Sequence, residues 1–249
     1  MTAIAVLGLG EAGGRLAADL AAAGADVRGY DPDPSAEVAG VTRASDVQTA
    51  VSDVDFVLSV NSAAVAAEAA VAALPALGDA VYADLNTAAP ALKRELAAVV
   101  ERFVDVALLG PVPATGLSTP ALASGVGARA FADALGLFGM PVEVVSERAG
   151  DAATLKLLRS VFMKGLAASA VESLQAAEAA GHREWLEGQI HQVIGEPLLT
   201  RLVEGSHRHA VRRAEEMEAA RELLAELGVE PRIASASAAL LAEIAAASR

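Results

Sequence analysis

Two groups of residues in this sequence are of types and spacings that could do chemistry. The first is a glycine run, Gly8-Leu9-Gly10-Glu11-Ala12-Gly13, spaced as G-x-G-x-x-G at the end of a short apolar stretch, TAIAVLGLG. Such a run lets the backbone turn tightly, approach a pyrophosphate and pack a helix closely on a strand, with the helix N-terminus facing the phosphates. The second is a pair of lysines. Of 19 basic residues only three are lysine (Lys93, Lys156, Lys164), and two of them fall in GDAATLKLLRSVFMKG at 150–165. Desolvation can bring a lysine into the range of proton transfer, whereas arginine keeps its proton. A chain that otherwise chooses arginine, yet has lysine at 156, fits a need for a titratable amine. The structural alternative is a lysine that snorkels from a mostly buried helix.

The elements that must position these groups follow from periodicity. TAIAVLGLG is a fully apolar run ending in glycines, which predicts a buried parallel strand. GGRLAADLAAAG has helical spacing and stops at Gly24, and ADVRGYD reads as a second strand ending in acid. Further strands are predicted at 55–60, 79–85, 102–110, 120–125 and 140–146, with helices near 62–74, 89–101 and 127–138. Regular alternation of this kind means an α/β domain with a mostly parallel sheet. From about 150 the pattern is helical only: 150–180, 183–194, 196–206, 207–227 and 232–247, broken at Gly181, Gly195–Pro197, Gly228 and Pro231. The expected fold is a Rossmann-type dinucleotide-binding domain over 1–148, then an all-α domain over 149–249.

The second strand ends at Asp31, 18 residues past Gly13, close to the spacing expected for an acceptor of the adenosine ribose hydroxyls. A carboxylate there repels a 2′-phosphate. The residues that follow are Pro32, Asp33 and Pro34, with no arginine close behind, so NAD is expected over NADP, with NADP possible. Glu11 and Ala12 in the loop, with Val60 and Asn61 at the end of the 55–60 strand, complete the expected cofactor contacts. Asp33 and Asp46 also read as a turn acid and a helix N-cap.

Composition excludes several classes. A net charge of −13 leaves no basic patch for phosphate backbones or anionic membranes, and the absence of cysteine removes disulfides, thiol catalysis and thiolate metal sites. The first residues, MTAIAVLGLGEAG, lack a basic segment, and apolar runs such as AVAAEAAVAALPALG are interrupted by Glu and Pro. A cytoplasmic protein acting on a small molecule, with neither nucleic acid nor membrane as partner, is expected. His182, His207 and His209 read as solvated, and Phe162 and Trp185 as core or interface residues.

Over nearly its whole length the sequence resembles the β-hydroxyacid dehydrogenases, which include 3-hydroxyisobutyrate and 6-phosphogluconate dehydrogenases. The resemblance is carried by GLGEAGGRLAADL, by DLNTAAP at 84–90 (family D-x-S-T-x-x-P), by FVDVALLGPV at 103–112, and by GDAATLKLLRS at 150–160. KLLRSVFMKG and RRAEEMEAA further resemble a branch with a short helical C-terminal domain of unassigned function. The resemblance implies an NAD(P)-dependent oxidoreductase that moves hydride between nicotinamide and a small hydroxy or oxo acid. It implies that Lys156 is the general acid/base, with Ser160, Asn86, Thr87 and Gly110 about the substrate. It also implies a homodimer formed through the helical domain.

The sequence departs from the family pattern where substrate carboxylate would be held. The asparagine four residues after the lysine is Ser160, with Arg159 beside it expected to supplement it in binding substrate; the S-G-G segment is Leu109-Gly110-Pro111; the S-T pair is Asn86-Thr87. Lys164 is read either as a contact to substrate or cofactor, or as the partner of Glu172 or of an acid across a helix interface. Arg212, Arg213, Glu215 and Glu216 are read either as a solvated ion-paired face or, for the two arginines, as a replacement for the family's lysine near the C-terminus. Imine reduction and NAD(H) sensing without turnover are the alternative functions; Lys156 weighs against both.

Overall fold

A computed structural model describes residues 1–247. The chain forms two compact units, Met1–Lys156 and a second from Leu157 onward. The first holds β1 (Ala3–Leu7), α1 (Glu11–Ala22), β2 (Asp26–Tyr30), β3 (Thr42–Arg43), α2 (Val47–Val51), β4 (Phe56–Ser59) and α3 (Ala63–Ala73). It continues through β5 (Val81–Asp84), α4 (Pro90–Val99), β6 (Phe103–Leu108), α5 (Val112–Thr115), β7 (Ala121–Ser124), α6 (Ala128–Leu137) and β8 (Val142–Ser146). The strands make one sheet in the order β3-β2-β1-β4-β5-β6-β7-β8. β1 to β6 run parallel, whereas β7 pairs antiparallel with β6 and parallel with β8.

The apolar strands are buried on both faces, as a parallel sheet under helices requires. Ile4, Val6, Leu58, Val81, Val104 and Val106 pack on one side with Leu16 and Leu20 of α1 and Phe131 and Leu135 of α6. Ala5, Leu7, Val57, Tyr82 and Phe103 pack on the other with Ala66 and Ala70 of α3 and Leu96 of α4. Each strand predicted from the sequence is present. The two-residue β3 and the short α2 and α5 are additional, too brief to leave a periodic signal. Asp46 caps α2 as expected, its carboxylate accepting from the Thr49 amide at 2.7 Å.

The helix α7 (Asp151–Ala179) is followed by α8 (Arg183–Ile194), α9 (Glu196–Arg208), α10 (Ala210–Glu226) and α11 (Arg232–Ala247). In the second unit, Leu157, Met217, Ala220, Leu223 and Leu241 form one small core, and Ala170, Leu174 and Leu199 another. In the single chain Leu158 and Phe162 of α7 are exposed, Phe162 at 70%, as is Trp185 of α8 at 67%. Among the described residues no helix is long and apolar enough to cross a membrane.

Candidate active site

The glycine loop joins β1 to α1 where the strand order reverses between β2 and β4, the position at which open α/β sheets bind ligands. Its three glycines have three different reasons. Gly8 has φ +94°, and a Cβ there would lie 2.5 Å from Val60 O and Asn61 Oδ1. At Gly13 a Cβ would meet Gly8 O at 1.9 Å, so this glycine permits the packing of α1 on the loop. At Gly10 a Cβ would meet nothing within 4 Å. That glycine faces open space and caps α1 with no side-chain hydrogen bond, so the first turn of α1, from Glu11, carries no side-chain cap. These features fit a dinucleotide pyrophosphate.

Asp31 sits at the tip of β2. One carboxylate oxygen accepts the Leu9 amide at 2.7 Å, and the other the Asp33 amide at 2.9 Å. A carboxylate has about four acceptor sites, so both oxygens can also take ribose hydroxyls. Val60 and Asn61 follow β4 beside Gly8. Asn61 Nδ2 donates to the buried Ser59 hydroxyl at 3.1 Å, and Asn86 Nδ2 reaches the same oxygen at 3.2 Å, tying together the ends of β4 and β5.

Asp84 ends β5 and Asp105 lies in β6, and the two are direct register partners on adjacent strands. Two carboxylates so placed repel. Lys93 of α4 lies between them, fully buried. Its Nζ donates to Asp84 Oδ2 at 2.7 Å, Asp84 O at 3.0 Å and Asn86 O at 2.8 Å, with Asp105 Oδ1 at 3.4 Å. Asp105 Oδ2 accepts the amides of Gly150 (3.2 Å) and Ala153 (2.9 Å) and the Ser124 hydroxyl (3.2 Å), while Ser124 Oγ accepts the Ala152 amide at 3.0 Å. The first turn of α7 is thereby capped by β6 and β7, which is what the opposite-signed end of a helix dipole favours. Gly150 has φ +96°, and a Cβ there would approach Pro90 O to 2.9 Å, so the close entry to α7 also needs glycine.

One turn further along, Lys156 Nζ donates to Thr87 Oγ1 at 2.6 Å. Thr87 follows Asn86, whose amide group reaches Asp84 Oδ1. The lysine and its threonine are thus fixed from two sides, one through the capped start of α7 and one through the loop after β5. This scaffold of Asp84, Lys93 and Asp105 was missed in the sequence. The signal available was two acids inside otherwise apolar strands, at positions where unpaired carboxylates are hardly ever found. Asn86, expected about the substrate, is itself buried; among the described residues its Oδ1 has no hydrogen-bond partner. Gly110 lies half-buried between β6 and α5.

In the second unit, Ser160 is buried and its hydroxyl donates to Glu216 Oε1 at 2.5 Å. Lys164 Nζ reaches the same oxygen at 3.0 Å and Ser160 Oγ at 3.1 Å. The partner of Lys164 is thus Glu216 on α10, across a helix interface, and not Glu172. Burial lowers the Lys164 pKa, and the Glu216 carboxylate opposes that shift. Arg213, half-buried, donates to Ser206 Oγ at 3.0 Å and Leu202 O at 3.3 Å. Its guanidinium fills the place a side chain would take at Gly205, where a Cβ would come within 2.2 Å of Nη2. The solvated-face reading of 212–216 is therefore corrected for Arg213 and Glu216, whereas Arg212, Glu215 and Arg159 are exposed.

A doubly wound sheet with a glycine-rich turn at its switch point, an acid ending β2 and a helical C-terminal unit defines a dinucleotide-binding protein of the Rossmann class. The family described as the NAD binding domain of 6-phosphogluconate dehydrogenase matches residues 3–116, and a domain of unknown function (DUF1932) matches 177–244. A conserved hypothetical protein of Sinorhizobium meliloti 1021 is 31% identical, covering 97% of this chain and 88% of its own, with a TM-score of 0.78. A conserved protein of unknown function, structurally similar to 3-hydroxyacid dehydrogenases, is 28% identical over 97% of this chain and 96% of its own, with a TM-score of 0.77. Mycobacterium tuberculosis 3-hydroxyisobutyrate dehydrogenase, solved with L-serine, shares the fold at a TM-score of 0.83 and 22% identity, over 99% and 94% of the two chains. An uncharacterized 28.5 kDa protein of Methanothermus fervidus is 32% identical over 142 residues, and the match spans only 55% of its length and 55% of this chain. The chain belongs to the β-hydroxyacid dehydrogenase-like family with a C-terminal helical domain.

Proposed function

We propose that the protein is an NAD-dependent oxidoreductase that interconverts a small hydroxy acid and its oxo acid, with Lys156 as general acid/base. The observation that carries this reading is the hydrogen bond from Lys156 Nζ to Thr87 Oγ1, at the end of α7 that Asp105 and Ser124 cap. Bound nicotinamide supplies or accepts the hydride. In the oxidative direction the carbinol C–H bond gives up its electron pair as that hydride, and the hydroxyl proton passes to the neutral Lys156 amine. In the reductive direction Lys156 returns the proton to the substrate oxygen. Thr87 holds the amine in place and Asp31 holds the adenosine ribose, which favours NAD. Ser160 directs its proton to Glu216, and Thr87, which accepts from Lys156, positions the substrate, with Asn86 as its buried support.

NADH oxidation against a pool of small oxo acids and semialdehydes tests this. Wild-type protein is expected to turn over at least one of them, and Lys156→Ala to lose about a hundredfold or more of the rate. Turnover unaffected by that change would overturn the role of Lys156. No turnover with NADH still bound would reduce the reading to cofactor binding.

We also propose a homodimer through the helical unit, supported by the exposure of Leu158 and Phe162 at i, i+4 on α7. Light scattering after size exclusion is expected to give twice the chain mass; a single monomeric species would refute it.

A further inference from the structure

The loop that follows β2 is built around an arginine of the next strand. β3 is only Thr42–Arg43, yet its register sets Arg43 beside Gly29 of β2. From there the guanidinium reaches the loop backbone. Nη1 donates to Ala36 O at 2.6 Å, and Nη2 to Asp31 O at 2.8 Å and Asp33 O at 2.9 Å. Gly29 completes the arrangement. A Cβ there would meet both methyls of Leu9 at 2.9 Å, so the Leu9 side chain packs over Gly29 while its amide is held by Asp31. The arginine, the loop and the glycine turn are therefore one bonded unit.

We propose that Arg43 is a selectivity-determining residue for the cofactor: by clamping the carbonyls of Asp31, Asp33 and Ala36 it holds two carboxylates at the tip of β2, so that the site takes NAD(H) and rejects a 2′-phosphate. The proposal rests on the dinucleotide reading above and deepens it. Arg43 acts through Asp31 and Asp33 and is a positioning residue. Its three bonds are charge-assisted and occupy three of the guanidinium's five N–H donors, so a 2′-phosphate finds the arginine largely committed to the loop while the Asp31 and Asp33 carboxylates oppose it. The Ser35 hydroxyl and amide both donate to Asp33 Oδ1 and lower its pKa below the usual carboxylate value, so Asp33, like any exposed carboxylate, is charged at neutral pH. The sequence suggested NAD because no arginine follows Asp31 closely. The fold does bring an arginine there, and binds it to backbone oxygens.

The test is titration of NADH and NADPH by nicotinamide fluorescence, which requires no substrate. Wild-type protein is expected to bind NADH at least tenfold tighter than NADPH. Arg43→Ala is expected to weaken NADH roughly tenfold, the scale of losing the charge-assisted bonds that fix the loop, and to leave NADPH unchanged or slightly tighter, so the affinity ratio collapses. Arg43→Gln, which keeps two donors, should retain part of the ratio. Arg43 is exposed, so both variants are expected to fold with at most a modest drop in melting temperature, and a collapse of the NADH/NADPH ratio is an effect that general loosening, which weakens both cofactors alike, would not give. Selective loss of NADPH binding in Arg43→Ala would make the arginine a phosphate ligand and overturn the clamp, as would an unchanged ratio. Failure of wild-type protein to bind NADH would overturn the dinucleotide reading, and the clamp with it.

Discussion

Lys93 and Lys164 are both largely removed from water, and their surroundings differ in a way that shows what each is for. Lys93 has two carboxylates and two carbonyls around one ammonium, and none of the groups is accessible. Its charge compensates a pair of acids that the sheet register forces together. Lys164 has one carboxylate and one hydroxyl, retains 15% side-chain exposure, and joins two helices of a smaller core. The first cluster binds four elements (β5, α4, β6 and the start of α7) and supports Lys156; the second staples one helix pair. Buried charges are tolerated when every group is paired, and become costly when one partner is taken away.

The largest expected effect follows from that asymmetry. Lys93→Met strands two neighbouring carboxylates and should lower the unfolding free energy by about 3–5 kcal/mol, measured by urea denaturation. Adding Asp84→Asn and Asp105→Asn to it should recover much of the loss, because neutral side chains no longer repel. A loss under about 1 kcal/mol for the single change would show that Lys93 does not hold the carboxylates apart.

Lys164→Met leaves Glu216 with the Ser160 hydroxyl and partial access to water. A smaller loss, about 1–3 kcal/mol, is expected. Equal losses for Lys93→Met and Lys164→Met would erase the distinction between a sheet-wide cluster and a helix staple.

The two units should also respond to alkali with opposite signs. The folded pKa of Lys164 lies below 10.5, chiefly from burial. Between that folded value and 10.5 the unfolded chain binds more protons, so this group's contribution to stability rises with pH. Tyr82, in the sheet beside Phe103, has its pKa raised above 10.0 by burial, with a smaller opposing influence from Ser59, although its hydroxyl has no partner of acceptable hydrogen-bond geometry among the described residues. Here the folded chain keeps its proton longer. The contribution is complete below pH 10 and is lost as pH rises beyond it. Melting curves from pH 8 to about 11 should show Lys164→Met flattening the rising part and Tyr82→Phe flattening the falling part. At neutral pH, Tyr82→Phe is the mildest change, within about 1 kcal/mol of wild type, since it removes a buried hydroxyl that is poorly satisfied.

The sequence by itself determined the elements and the cofactor turn. Apolar strands, helical spacing and glycine breaks are local properties of the chain, so β1, β2 and β4–β8 and the five C-terminal helices could be read directly. Gly8, Gly10, Gly13 and Asp31 are likewise legible because a pyrophosphate turn needs those residue types within one strand–turn–helix unit. Lys156 was legible as a rare lysine in an arginine-rich chain. Only the tertiary structure decided its partners. That Asp84 faces Asp105 is a matter of strand register; that Lys93 enters between them depends on the packing of α4; that Lys164 meets Glu216 depends on which helices pack; and that Arg43 comes to the tip of β2 depends on a strand of two residues. Lys164 and Glu216 lie far apart in the chain, and even Lys93 and Arg43, 9 residues from Asp84 and 12 from Asp31, meet them only because an element folds back; the sequence carries no period or spacing that specifies any of these contacts. What it does carry is the residue type, and a charged side chain in an apolar strand says that a partner exists without saying where it lies.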